Sequence, residues 1–155
     1  MKKILFVLFA ILMAACTPKL PSYKKENASF ILFKTPTVKY ADAGFISSAD
    51  SETKVEIYSN GIALMQLRLL PNKVCLKNKG CMSASEFNKK YLHTNYPPNT
   101  LMQIFQGKEI FNGQNKSPIS GGFQQKIASI VYKVSNGYIE FEDRAANIKI
   151  VVRPL

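Results

Sequence analysis

Alternating apolar and polar residues, separated by short turn signals, restrict this chain to a fold built largely from antiparallel β-strands. Residues 54–58 alternate, and Asn60-Gly61 follows them, the dipeptide most typical of a tight β-hairpin. The return strand places three apolar side chains on one face, because successive residues of a strand point to opposite sides. These residues are Met65, Leu67 and Leu69.

The last part of the chain follows the same pattern. Apolar residues alternate through 130–134, 139–141 and 148–152, and Asn136-Gly137 supplies a turn between the first two segments. This spacing predicts a three-stranded antiparallel meander. The preceding residues, 112–122, are rich in Gly, Asn and Ser, and we expect them to form a loop.

The middle of the chain predicts two short helices. Ser83 and Glu86 have the S-x-x-E spacing of a capping box, in which each residue caps the other's backbone N–H. Pro97-Pro98 ends this first helix, Asn99 is the predicted N-cap of the second, and Gly107 is its C-cap.

The second helix is apolar on nearly all sides, so other elements must cover more than one of its faces. The order of strands, two short helices and strands predicts an α+β fold with a large antiparallel sheet. An immunoglobulin-like sandwich does not place two apolar helices in mid-chain, and the chain has no Trp for the usual core position of that fold.

The N-terminal residues are typical of an export signal. Lys2 and Lys3 precede an apolar run, and two alanines end it before Cys16. The run is too short to cross a bilayer, which takes about 20 apolar residues. Residues 12–16 (LMAAC) resemble the bacterial lipobox, which implies a signal peptide over 1–15 and a covalent lipid on Cys16. The alternative is an ordinary signal peptide followed by a chance cysteine.

A lipid on Cys16 predicts a protein anchored to a membrane without a spanning helix. By resemblance to the sorting rule of bacteria with two membranes, Thr17 favours the outer membrane, with the protein facing the periplasm. Residues 16–28 contain prolines and charges and few apolar residues, so we predict a flexible tether. Residues 29–155 then form a single globular domain.

The net charge of +11 does not by itself indicate nucleic acid. The lysines are scattered, and no nucleic-acid-binding motif accompanies them, so we predict no nucleic-acid partner. A basic surface suits anionic lipid headgroups, and ordinary solvated charge explains it equally well.

Cys75 and Cys81 are the two cysteines left if Cys16 is acylated. Disulfides persist in exported proteins, so we predict that these two form a structural disulfide. A redox role is the alternative, although the spacing is not C-x-x-C.

Catalytic and metal-binding motifs are missing from the sequence. His93 is the single histidine, the carboxylates are dispersed, and no nucleophile elbow, zinc motif or phosphate loop occurs. We therefore predict a protein that is not an enzyme, with no metal site and no cofactor beyond the lipid on Cys16.

The order of features after the lipobox resembles the LolA and LolB family of periplasmic carrier and outer-membrane lipoproteins. The segments that carry the resemblance are Gly44-Phe45, the hairpin through Leu69, Tyr96-Pro97-Pro98, Leu101, Ile104-Phe105-Gln106-Gly107, Gly122-Phe123, and residues 130–132 and 148–152. They cover most of residues 29–155. The resemblance implies an open half-barrel, a curved antiparallel sheet whose mouth is covered by the two helices.

The same resemblance implies that the concave face binds an acyl chain, with an acylated lipoprotein or a lipid as ligand and a role in lipoprotein localisation or insertion. The implied lining residues are Met65, Leu67, Leu69, Leu101, Met102 and Phe105. The alternatives are that these residues fill a core and that the protein is a non-enzymatic envelope interaction or surface lipoprotein with a β scaffold. LolB presents an exposed leucine on a protruding loop; here Asn60-Gly61 leaves no room for one, and Leu69-Leu70-Pro71 is the possible substitute.

Overall fold

β-Strands account for most of the chain that the computed structural model describes, which is residues 22–23 and 25–155. The predicted signal peptide, Cys16 and most of the predicted tether lie outside the described residues. The strands are β1 (Lys25–Lys34), β2 (Lys39–Ser48), β3 (Thr53–Ser59), β4 (Ile62–Leu70), β5 (Lys73–Leu76), β6 (Gly80–Ser83), β7 (Lys116–Ile119), β8 (Gly122–Ile127), β9 (Ile130–Ser135), β10 (Tyr138–Asp143) and β11 (Ile148–Pro154).

All eleven strands form one open antiparallel sheet in the order β6-β5-β4-β3-β2-β1-β11-β10-β9-β8-β7. The first six strands are one meander and the last five are another. The ladder between β1 and β11 joins them, with Ser29 opposite Pro154 and Phe33 opposite Ile150. The prediction of a large antiparallel sheet is confirmed.

Two short helices connect the two meanders. Helix α1 (Ala84–Phe87) continues as one π-helical turn, Asn88–Leu92, and helix α2 spans Thr100–Gln106. A 3₁₀ turn, Phe111–Gly113, follows. No helix among the described residues is both long and apolar enough to cross a bilayer.

The ends of these helices follow the sequence signals in part. The predicted capping box is confirmed, since the Ser83 hydroxyl accepts a hydrogen bond from the Glu86 N–H and the Glu86 carboxylate accepts one from the Ser83 N–H. Gly107 ends α2 with φ of 64°, a left-handed conformation that glycine adopts without steric cost. Asn99 precedes α2, but its side chain makes no capping hydrogen bond.

The sheet curves around α2. At the end of the helix, the Gln106 amide donates to the Thr53 hydroxyl of β3 at 2.8 Å. Just beyond it, the Tyr132 hydroxyl of β9 donates to the Lys108 carbonyl, also at 2.8 Å. Four strands separate β3 from β9 in the sheet, so both can contact one short helix only if the sheet bends around it.

The core lies between the concave face of the sheet and the helices. Alternate residues of the strands point inward, and the apolar residues of both helices pack against them as a single cluster. Its largest fully buried side chains are Tyr132, Phe33, Phe87, Phe141, Ile31, Ile57, Leu67, Leu69, Leu92, Ile104, Ile110 and Ile148.

The structure differs from the sequence prediction at two boundaries. Strand β1 begins at Lys25, four residues before the predicted start of the domain at Ser29, because residues 25–28 pair with residues 45–48 of β2. Residues 26–28 are exposed, so the backbone ladder, and not burial, defines this part of the strand. Strand β7 lies within the predicted loop 112–122, where it pairs with β8 as a short edge strand.

Candidate functional site

Antiparallel pairing gives the curved sheet two distinct ends. The start of β1, the end of β11 and the β9–β10 turn lie at one end, which we call the terminal end. The turns β1–β2, β3–β4 and β5–β6 lie at the other, which we call the hairpin end. Each end contains a cavity, and the two cavities differ in size and chemistry.

The cavity at the terminal end, the terminal cleft, has a volume of about 480 Å³. Its floor consists of apolar residues from four strands and α2: Ile46, Phe105, Val134, Ile139 and Val152. All of them are buried except Val134, which is half-buried. Its rim contains the first residues of β1, Glu26 to Ser29, together with Ser48, Gly137, Pro154 and Leu155. An apolar floor below a polar rim suits a ligand with an aliphatic part.

Gln106 is the polar side chain that α2 contributes to the terminal cleft. Its Nε2 donates to Thr53, whereas its Oε1 is buried without a hydrogen-bond partner. A buried acceptor without a partner costs stability, because it has lost its hydrogen bonds to water. Gln106 therefore leaves one buried carbonyl oxygen unsatisfied beside the cleft.

The cavity at the hairpin end, the hairpin pocket, is smaller, at about 150 Å³. Its inner wall is formed by the buried side chains of Phe33, Met65, Leu67 and Phe87. Its outer wall contains the exposed β5–β6 turn, residues 77–79, and the half-buried ring of Tyr91. The pocket is thus apolar inside and basic at the surface.

The six predicted lining residues lie in three places: the terminal cleft, the hairpin pocket and the core. Phe105 borders the terminal cleft, and Met65 and Leu67 border the hairpin pocket. Leu69 and Leu101 are buried in the core and border neither cavity, and Met102 is half-buried against that core. These six residues were expected to line one space, but the middle of the concave face is filled by side chains.

Most residues of the terminal cleft were missed by the sequence prediction. Val134, Ile139 and Val152 belong to the alternating pattern of the C-terminal meander, which identified their inward direction but not their position at one end. Ile46 lies on β2, whose alternation is interrupted by small residues. The sequence did not predict that β1 pairs with β11, and this pairing brings β2 close to β9, β10 and β11 at the terminal cleft.

Cys75 and Cys81 form a disulfide, as predicted. They lie directly opposite each other in the β5–β6 ladder, with Cα atoms 3.9 Å apart. Cys81 is exposed and Cys75 is half-buried. The bond therefore fastens the edge strand β6 to its neighbour.

The carboxylate of Asp143 accepts several hydrogen bonds. It accepts hydrogen bonds from the hydroxyls of Tyr96 and Ser129 and from the backbone N–H groups of Ala145 and Ala146. Burial alone would raise the pKa of Asp143, but these four donors outweigh burial and hold it below its usual value. The hydrogen bond from Tyr96 holds the α1–α2 connection against the end of β10.

A second polar cluster fastens the segment before β1. The guanidinium of Arg68 donates to both oxygens of Glu52 at 2.8 and 2.7 Å, and the Tyr23 hydroxyl donates to Glu52 at 2.6 Å. The hydrogen bonds from Arg68 lower the pKa of Glu52. Tyr23 is thus held against the β2–β3 loop at the terminal end.

Within residues 22–23 and 25–155, no group of three or more His, Cys, Asp or Glu side chains is arranged to hold a metal ion. His93 is exposed and follows α1 in a left-handed conformation. In comparisons with known proteins, no family model matches the chain and no curated protein matches it. The resemblance to LolA and LolB stays a prediction, whereas the open antiparallel sheet with two short helices is established by the structure.

Proposed function

We propose that this protein is a lipid-anchored lipoprotein of the bacterial envelope that binds an acyl chain, or a ligand of similar apolarity, in the terminal cleft. The observation that carries the proposal is the cleft itself. Its volume of about 480 Å³ falls in the range of about 300–1,000 Å³ typical of small-molecule sites. Burial of an aliphatic chain against its apolar floor would contribute about 0.8 kcal/mol per methylene group.

The position of the cleft relative to the predicted anchor supports the same proposal. Cys16 precedes Lys25, the first residue of β1, by nine residues, and the next residues of β1 form the rim of the cleft. Nine residues span at most about 30 Å when fully extended. A lipid on Cys16 would therefore keep the cleft within that distance of the membrane, the source of acyl chains.

The hairpin end offers an apolar surface for the second part of the proposal, a role in lipoprotein localisation or insertion. Ile62 and Leu64, next to the β3–β4 turn, are 68% and 43% exposed. In the predicted substitute for a protruding leucine, Leu69-Leu70-Pro71, Leu69 is buried, Leu70 is half-buried and Pro71 is exposed. We infer that Ile62 and Leu64 are the residues that would contact a membrane or an acylated partner.

Two substitutions on strand β9 test the cleft. Val134 faces the cleft and Val131 lies on the opposite face of the same strand, both half-buried. Val134→Trp should fill the cleft and reduce uptake of a fluorescent C16 fatty acid, and Val131→Trp should leave it unchanged. Mass spectrometry of organic extracts of the purified full-length protein should find lipid in the wild type and the Val131→Trp variant.

The alternative function is an envelope interaction protein whose sheet is only a scaffold. The filled middle of the concave face, where Leu69 and Leu101 are buried, favours this alternative. A wild-type extract free of lipid, together with no uptake of the fatty acid, would establish it against the acyl-binding proposal. The anchor has a separate test: Cys16→Ala should abolish labelled palmitate incorporation and membrane fractionation.

A further inference from the structure

We propose that the hairpin pocket is a second, independent binding site that takes a short single-chain carboxylate, with the chain inside the pocket and the carboxylate at Lys77 and Lys79. This site does not depend on the proposed function of the terminal cleft. Different residues line the two cavities, and the rings of Phe33 and Phe105 lie between them.

The interior of the hairpin pocket favours a short aliphatic chain. Phe33, Leu67 and Phe87 are fully buried, and the flexible side chain of Met65 completes the inner wall. A cavity volume of about 150 Å³ lies below the range of about 300–1,000 Å³ typical of small-molecule sites. The pocket therefore accommodates part of a medium-length chain and excludes a ligand with two long chains.

The charges at the opening favour an anionic head. Lys77 and Lys79 are exposed on the β5–β6 turn and belong to the wall of the pocket. The ammonium groups of Lys79 and Lys90 lie 5.7 and 5.5 Å from the ring centroid of Tyr91, so two cations share one aromatic ring. An anion at the opening would be attracted by these positive charges.

The carboxylate of α1 is not in an ion pair with these lysines. Glu86 accepts two hydrogen bonds from Ser83, from its backbone N–H and its hydroxyl at 2.9 and 2.8 Å. Among the described residues, the ion pairs with Glu52, Glu56, Glu109, Glu140 and Glu142 all involve other cations. Positive charge beside an apolar cavity thus matches a carboxylate with a chain better than it matches a neutral ligand.

Isothermal titration calorimetry with sodium octanoate tests the proposal. The full-length protein is placed in phosphatidylcholine nanodiscs, so that no detergent competes for the pocket, and empty nanodiscs provide the blank. We expect saturable binding to one site. Lys77→Gln/Lys79→Gln should weaken octanoate about tenfold, in line with two exposed charge pairs, and leave the neutral analogue 1-octanol unchanged.

Matched variants make the result specific. Lys108→Gln/Lys126→Gln removes two exposed lysines that do not line the pocket, and it should bind octanoate like the wild type. Met65→Trp should fill the pocket and abolish binding, whereas Met102→Trp, at a residue that borders neither cavity, should not. Val134→Trp, which fills the terminal cleft, should leave octanoate binding unchanged.

Three results would overturn the proposal. The first is the absence of saturable octanoate binding to the wild type. The second is equal affinity in the wild type and the Lys77→Gln/Lys79→Gln variant. The third is loss of octanoate binding in Val134→Trp, which would place the ligand in the terminal cleft.

Discussion

The rings of Phe33 and Phe105 stack with their centroids 6.3 Å apart, and each ring borders a different cavity. Phe33, from β1, faces the hairpin pocket, and Phe105, from α2, faces the terminal cleft. We infer that this pair of rings is a partition between the two spaces.

Removal of the Phe105 ring should join the two cavities. Phe105→Ala should destabilise the protein by about 3–5 kcal/mol, the usual cost of deleting a buried Phe side chain, and should increase the affinity for C16 fatty acid relative to C8. Urea unfolding and calorimetry measure the two effects. Phe141→Ala, at a buried ring that borders neither cavity, should destabilise similarly without changing chain-length preference. Equal preferences in both variants would contradict the partition.

Local sequence signals predicted the elements whose structure is determined by neighbouring residues. Asn60-Gly61 lies between β3 and β4, and Asn136-Gly137 lies between β9 and β10, as expected. The capping box at Ser83 and the end of α2 at Gly107 were also identified correctly. In each case a backbone requirement, a left-handed turn residue or an uncapped N–H, is met by a residue within a few positions in the chain.

The Cys75–Cys81 disulfide should make a modest contribution to stability. The chain-entropy model predicts about 2 kcal/mol for so short a loop. Cys75→Ser/Cys81→Ser should lower the free energy of unfolding in urea by this amount, and dithiothreitol should lower it in the wild type but not in the double variant. No effect of dithiothreitol on the wild type would exclude a structural role for the bond.

The hydrogen bond from Tyr96 to Asp143 should stabilise the protein at neutral pH by about 2 kcal/mol, the usual value for a bond to a charged group. Tyr96→Phe removes this donor. Tyr138→Phe is the matched control, because the Tyr138 hydroxyl makes only a long hydrogen bond of 3.3 Å to Glu140, on a half-buried surface. Urea unfolding at pH 7 should separate the two variants clearly.

The stabilisation that the hydrogen bond from Tyr96 to Asp143 provides should depend on pH. The pKa of Asp143 is lower in the folded protein than its usual value of about 3.9, so the unfolded chain binds more protons in acid. The stabilisation is complete at pH values well above the usual pKa. It is lost as the pH falls through the usual pKa and then through the lower pKa of the folded protein. The difference between the wild type and Tyr96→Phe should therefore shrink below about pH 4. A difference independent of pH would assign the effect of Tyr96 to packing alone.

Exposed apolar residues at the β3–β4 turn should matter for membrane contact and little for folding. Ile62→Ser/Leu64→Ser should retain wild-type stability within about 0.5 kcal/mol, as surface substitutions usually do, and should reduce delivery of a labelled acylated peptide to vesicles. Phe45→Ser, at an exposed residue on the outer face of β2, provides the control. Equal delivery by both variants would remove Ile62 and Leu64 from the proposed function.

Long-range pairing explains what the sequence could not predict about the site. Alternation identified Met65 and Leu67 as inward-facing, but their assignment to the hairpin pocket depends on the β1–β2 turn and α1, which lie far away in sequence. The terminal cleft depends on β1 lying beside β11, which brings Ser29 opposite Pro154. The two-residue period of a strand gives the face of a residue but not its neighbours across the sheet.

The close approach of the two described chain ends has a practical result for protein engineering. The N–H of Leu155 donates to the carbonyl of Ala28, and Leu155 itself belongs to the rim of the terminal cleft. An affinity tag or fluorescent protein fused after Leu155 would begin at the opening of the cleft and obstruct it. Fusions inserted at the β8–β9 turn, which lies at the hairpin end of the sheet, would leave that opening free.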